Sequence, residues 1–158
     1  MWGASTTPLP VGCQLKETMQ DFVNTYRGKA ATTEDFKAVV EKHMTRDMDI
    51  AGNHKMDWFF NEYVYGTQLP SYKFDSSFDT DTDGTIILNF SLTQSNVDNK
   101  FAMLVPVYFE MDDGRVVFLG HMRMVGNKTE TQRVPFKGYK TKPKRALINY
   151  HDDVLASP

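Results

Sequence analysis

The run Asp79-Thr80-Asp81-Thr82-Asp83-Gly84 sets carboxylate oxygens at alternate positions ahead of a glycine, the arrangement that opens a calcium-binding loop. Such a loop closes with a bidentate glutamate at its twelfth position. Counted from Asp79, that position is Phe90, inside an alternating hydrophobic run. Asp79, Asp81 and Asp83 are therefore weak calcium candidates, and an acidic hairpin turn accounts for the same residues. The stretch Asp47-Met48-Asp49-Ile50-Ala51-Gly52 fits less well, with Ala51 at a ligand position and Trp58 at the closing one.

Four histidines, His43, His54, His121 and His151, are the remaining candidates for metal or acid–base work. No His-Glu-x-x-His occurs, the single cysteine Cys13 excludes a Cys-x-x-Cys pair, and His54 with Asp57 is a lone pair at helical spacing. Histidines so isolated read as surface or partly packed groups. Gly-x-Ser-x-Gly, Walker and Gly-x-Gly-x-x-Gly motifs are also missing, so nucleophilic and phosphate chemistry have no support. No catalytic residue and no cofactor are expected on this chain. Asn89-Phe90-Ser91 and Asn127-Lys128-Thr129 match the glycan acceptor pattern, although Asn89 falls within a strand pattern. Eleven Phe and seven Tyr are enough to build a sugar-stacking face, and a packed core uses the same residues.

A chain of 158 residues, 41% hydrophobic and 24% charged, is long enough for one ordinary core or a small sandwich with a helical appendage. Its net charge of -2 gives no general attraction to nucleic acid, and the one dense basic run, Lys140 to Arg145, is short and broken by Pro143. One cysteine cannot form an internal disulfide. The opening residues lack both a basic segment and a continuous apolar one, so they read as a flexible tail over residues 1–13 and not as a signal peptide. No apolar run approaches the roughly 20 residues of a membrane span. Composition does not indicate a compartment.

The elements that would position these groups follow from periodicity. Leu15, Met19, Phe22, Val23 and Tyr26 lie at helical spacing, and Gly28 is placed to end that helix in a left-handed cap. Thr32 with Asp35 forms a capping-box pattern ahead of Phe36, Val39, Val40 and Met44. Asp57 is placed to cap a third helix, whose Phe59, Phe60, Tyr63 and Val64 form an apolar stripe before Gly66. Beyond Pro70 the period becomes 2, most cleanly where Ile86, Leu88, Phe90 and Leu92 alternate with Ile87, Asn89, Ser91 and Thr93. Further runs near 71–79, 103–111, 115–125, 130–136 and 145–150 are separated by Asp83-Gly84, Asp113-Gly114 and Gly126-Asn127. Asp113-Gly114 is the strongest hairpin signal, and Pro106 predicts an edge position or a bulge. The fold class is therefore α+β: about three short helices followed by an antiparallel Ig-like β-sandwich.

Two stretches, Phe22 to Phe36 and Asp57 to Gly66, resemble the end of the catalytic domain in the aminopeptidase N-like zinc metallopeptidases, the membrane alanyl aminopeptidase family. There a Tyr-x-x-Lys-x-Ala-Thr-Thr-x-Asp-Phe stretch, matched by Tyr26 to Phe36, precedes an Asp-Trp-Phe-Phe-x-x-Trp-x-Tyr helix, matched from Asp57 with Tyr63 in place of the tryptophan. Lys142 to Tyr150 is similar to the last strand of the sandwich that follows. The resemblance spans about Leu15 to Ala156, with Ile50 to Lys55 as an insertion. It implies that residues 14–66 are the helical end of a thermolysin-like domain and 67–158 the supporting sandwich. It also implies a parent enzyme with zinc, held by a His-Glu-x-x-His helix that this chain lacks. The implied partner is the upstream catalytic domain, or another copy of the chain through an exposed helical face formed by Phe59, Phe60 and Tyr63. A freestanding sandwich binding carbohydrate or protein, and a calcium-dependent adhesion module, are the alternative readings.

Overall fold

The structure is a computed structural model that describes residues 11–136, 139 and 141–157. The chain divides into two compact units between Phe60 and Asn61. The part of the expected tail at residues 1–10 lies outside the described residues, and the first helix begins at Val11.

In the first unit, α1 (Val11–Tyr26) ends ahead of Gly28, whose φ of 71° supplies the left-handed stop. α2 (Thr33–His43) begins with the expected capping box: Asp35 N donates to Thr32 Oγ1 at 3.2 Å and Thr32 N donates to an Asp35 carboxylate oxygen at 2.9 Å. The two helices pack through Phe22 against Phe36, edge to face with ring centroids 5.1 Å apart, and through Tyr26, whose hydroxyl donates to Asp35 at 3.1 Å. A 3₁₀ turn, Arg46–Met48, precedes α3 (Asp57–Phe60). Asp57 is the first helical residue and not the cap, and its carboxylate pairs with Lys37 of α2. Glu41 receives Met56 N at 3.0 Å and Lys55 Nζ at 3.0 Å, and Trp58 Nε1 donates to Met48 O at 3.0 Å, which ties the loop ahead of α3 to α2 and to the turn.

The second unit opens with a π turn, Asn61–Tyr65, where the sequence pattern predicts more α-helix. Gly66 closes it because a Cβ there would lie 2.4 Å from the Asn61 carbonyl oxygen. Six strands follow: β1 (Ser71–Thr80), β2 (Ile86–Ser95), β3 (Ala102–Glu110), β4 (Val116–Val125), β5 (Lys128–Phe136) and β6 (Arg145–Ile148). They form two antiparallel three-stranded sheets, β1-β2-β5 and β4-β3-β6, so the architecture is an α+β chain with a sandwich-like β unit. Leu88, Phe90 and Leu92 of the first sheet and Val105, Val107, Phe109 and Met124 of the second are buried and make the core.

Two hairpins share one turn. In each, an Asp-Gly pair sits at the tip, with Gly84 at φ 83° and Gly114 at φ 82°, a conformation that glycine enters without a Cβ clash. In each, the aspartate also accepts a backbone N–H two residues on, Thr85 N to Asp83 at 2.9 Å and Arg115 N to Asp113 at 3.1 Å.

Pro106 lies on a central strand, contrary to the edge position its ring predicts, and the register shift falls one residue later, between Val107 and Tyr108. β6 ends at Ile148, and Asn149 N still donates to Pro106 O at 3.0 Å, so the missing proline N–H falls where the ladder has stopped. On β5 the residues facing the core side include Lys128 and Glu130, paired at 2.6 Å beside Gln94 and Leu92 of β2, and Pro135 stands opposite Ile87.

Candidate functional site

The calcium candidates are part of the first hairpin. Asp79 accepts Asn89 Nδ2 at 2.6 Å, Asp81 accepts Thr82 N at 2.8 Å and Arg133 at 3.3 Å, and Asp83 accepts Thr85 N at 2.9 Å. Their carboxylates thus serve three separate sets of donors around the turn. Asp49, in the weaker acidic stretch, holds its own loop by accepting Asn53 N at 3.0 Å and His54 N at 3.2 Å. Among the described residues no three His, Cys, Asp or Glu side chains are arranged to hold a metal ion.

The histidines have separate surroundings. His43 Nε2 lies 2.7 Å from Asp21 Oδ2, which also takes Lys42 Nζ at 2.8 Å; these two partners hold the Asp21 carboxyl down at about 2. This is a clasp between α1 and the last turn of α2, where the Lys42 charge also suits the helix dipole. His54 is exposed at φ 54°, beside Asp49. His121 packs edge-on to Phe118 at 5.0 Å, and His151 edge-on to Tyr108 at 5.5 Å.

Both glycan-pattern asparagines are engaged. Asn89 is half-buried with its amide on Asp79, and the Asn127 side chain brackets Val97, accepting its N–H and donating to its carbonyl. In the basic run, Lys144 and Arg145 pair with Glu110 at 3.2 and 2.6 Å and keep its carboxyl below the usual range; Lys140 lies outside the described residues.

A buried polar node that the sequence pattern did not reveal stands at the end of β2. Gln94 is fully buried, accepts the Tyr72 hydroxyl at 3.0 Å and donates to Gly126 O at 2.9 Å, so both ends of its amide are satisfied. Burial raises the Tyr72 hydroxyl far above its ordinary value. Gln94 occupies an inward position of a period-2 run, where only its polarity could have signalled a special role.

The expected exposed helical face is not where the sequence put it. Phe60 is 1% exposed, stacked between Phe36 and Phe59; Phe59 is half-buried. Tyr63, in the second unit, is half-buried, with its hydroxyl on the Met103 sulfur at 3.2 Å. The open apolar surface of the first unit runs along α1, where Leu15, Met19 and Val23 are 60%, 43% and 51% exposed. Lys16, Gln20, Asn24 and Arg27 border it. Phe22 and Tyr26 take the α2-facing edge of the stripe, so periodicity identified the apolar positions without telling which part of the stripe is covered.

No protein-family model matches this chain, and no curated protein matches it. Among the described residues no helix is long and apolar enough to cross a membrane.

Proposed function

We propose that this chain is the non-catalytic, C-terminal scaffold of an aminopeptidase N-like zinc metallopeptidase: the helical end of the peptidase domain and its supporting sandwich. The observation that carries the reading is α1, whose one apolar stripe is only partly covered. Phe22 and Tyr26 pack on α2, while Leu15, Met19 and Val23, next to them on the same stripe at successive i, i+4 positions, stand in solvent. The apolar stripe of α1 is thus wider than the surface α2 covers, and its Leu15, Met19 and Val23 edge stays open among the described residues of this unit. The order of capped helices followed by a sandwich, with the Thr32–Asp35 box and the Asp57 to Gly66 stretch, is what the resemblance implies. Its role is to close and support a catalytic domain carried by other residues.

Uncovered, the α1 stripe recruits a second copy of the chain. Light scattering of the 158-residue chain is expected to give a mass that rises with concentration above 18.1 kDa. The triple variant Leu15→Ser, Met19→Ser, Val23→Ser is expected to stay monomeric. Purified protein is expected to hold no stoichiometric zinc and to leave alanyl anilide substrates uncut. Zinc at one equivalent with peptide cleavage overturns the proposal, and a wild-type monomer at high concentration removes the argument from α1.

A further inference from the structure

The outer faces of the two sheets differ. On β1-β2-β5 the rows Lys73–Thr93–Thr129, Asp75–Ser91–Thr131 and Ser77–Asn89–Arg133 are polar, and Thr93 pairs with Thr129 at 2.7 Å. On β4-β3-β6 the corresponding face carries the row Phe118–Tyr108–Leu147. Phe118 and Tyr150, each 49% exposed, lean on the buried Tyr108 ring, with centroids 5.5 and 6.1 Å from it.

The segment that presents Tyr150 is fixed from several directions. The Asn149 side chain donates to Val154 O and accepts Val154 N, both at 2.8 Å, and Asp152 N donates to Asn149 O at 3.1 Å. Asp153 accepts the Tyr108 hydroxyl at 2.8 Å. The exposed Tyr150 and His151 rings and two exposed carboxylates, Asp152 and Asp153, are thus offered beside Phe118 on backbone that is already ordered, which leaves little conformational entropy to lose on binding.

We propose that this patch binds a basic peptide through an arginine side chain. Ring faces carry the negative lobe of the aromatic quadrupole, and the carboxylates add formal negative charge beside them. A guanidinium answers both, because its plane stacks on a ring while its fork reaches a carboxylate. A neutral apolar partner would desolvate Asp152 and Asp153 without pairing them, and an anionic one would meet like charge. The basic groups at the near edge, Lys144 and Arg145, are engaged by Glu110, Arg123 stands two outward rows from Phe118, opposite Leu104, and His121 and His151 lie edge-on against Phe118 and Tyr108 as further rings of the patch. The proposal is independent of the scaffold reading.

The test is an amide NMR titration of the 158-residue chain at low salt, where charge pairing is least screened. The probe is acetyl-Gly-Arg-Gly-amide, with the citrulline peptide as a neutral isostere and a cello-oligosaccharide as a sugar. The arginine peptide is expected to give saturable shifts at Phe118, Tyr150 and Asp152, larger than those of its isostere. Asp152→Asn and Phe118→Ser are each expected to weaken binding about fivefold. Asp152 is exposed, so its variant carries the test even where Phe118→Ser disturbs β4. Equal shifts with citrulline, saturation by the sugar alone, or no saturable shift overturns the proposal.

Discussion

Along β2, the alternate residues Ile86, Leu88, Phe90, Leu92 and Gln94 are all buried, whereas along α1 the only buried residue from Gln14 onward is Thr18. The two units are held in different ways. The sandwich buries side chains between two sheets and satisfies its one deep amide, Gln94, at both ends. The helical unit relies on bonds nearer its surface: the Thr32–Asp35 box, Lys37 with Asp57, Glu41 with Lys55, and Asp21 with Lys42 and His43. Such pairs orient elements but each adds little stability, because water competes for the same groups. The sandwich should therefore tolerate loss of any surface pair, whereas in the helical unit such losses should loosen how the helices are oriented, each by a small amount.

The largest effect that would sharpen this contrast is in the sandwich core. Phe109→Ala removes a ring packed edge-on against Phe136 at 4.9 Å and is expected to cost about 3–5 kcal/mol in urea unfolding. Phe22→Ala, on the half-buried side of α1, is expected to cost only about 1–2 kcal/mol. Equal losses would break the comparison. Next is Gln94→Leu, similar in volume, which strands the Tyr72 hydroxyl and the Gly126 carbonyl and is expected to cost about 2 kcal/mol. Thr32→Ala is expected to cost about 1 kcal/mol, read as loss of helical circular dichroism on heating.

The smallest effect is a pH dependence. The Asp21 carboxyl is held below its ordinary value of 3.8, at about 2, so its contribution is present above 3.8 and lost as pH falls toward about 2. Asp21→Asn is expected to remove that acid-sensitive part of the helical signal. An unchanged acid titration in the variant would mean that the clasp does not hold α1 to α2.

Much of the fold was legible because its signals are local. Thr32 with Asp35, Asp113-Gly114 and the alternation from Ile86 to Leu92 each act within a few residues, and each formed the expected element. What failed depends on distant neighbours. Period 2 marks a strand without naming its partners, so neither the order β4-β3-β6 nor the central place of Pro106 was readable. The stripe from Phe59 to Val64 looks equally apolar in an α-helix and a π turn, and it does not say that Phe60 packs against Phe36 while Leu15 stays in water. The Asp79 to Gly84 pattern shows the same limit: alternate carboxylates suit an ion, yet here they serve Asn89, Arg133 and the turn's own amides.

The ion pair on β5 has a consequence for how copies of this chain meet. A short open sheet has rims whose unpaired peptide groups can template a further strand from a neighbouring molecule. On the β5 rim, Lys128 and Glu130 point toward the core side, and Pro135 brings no N–H. An incoming strand would have to strip water from that charged pair and would find a gap in its ladder at the proline. Fibrous growth is thereby discouraged along this rim, and clumping of the chain is expected to proceed through helix faces, not through sheet extension.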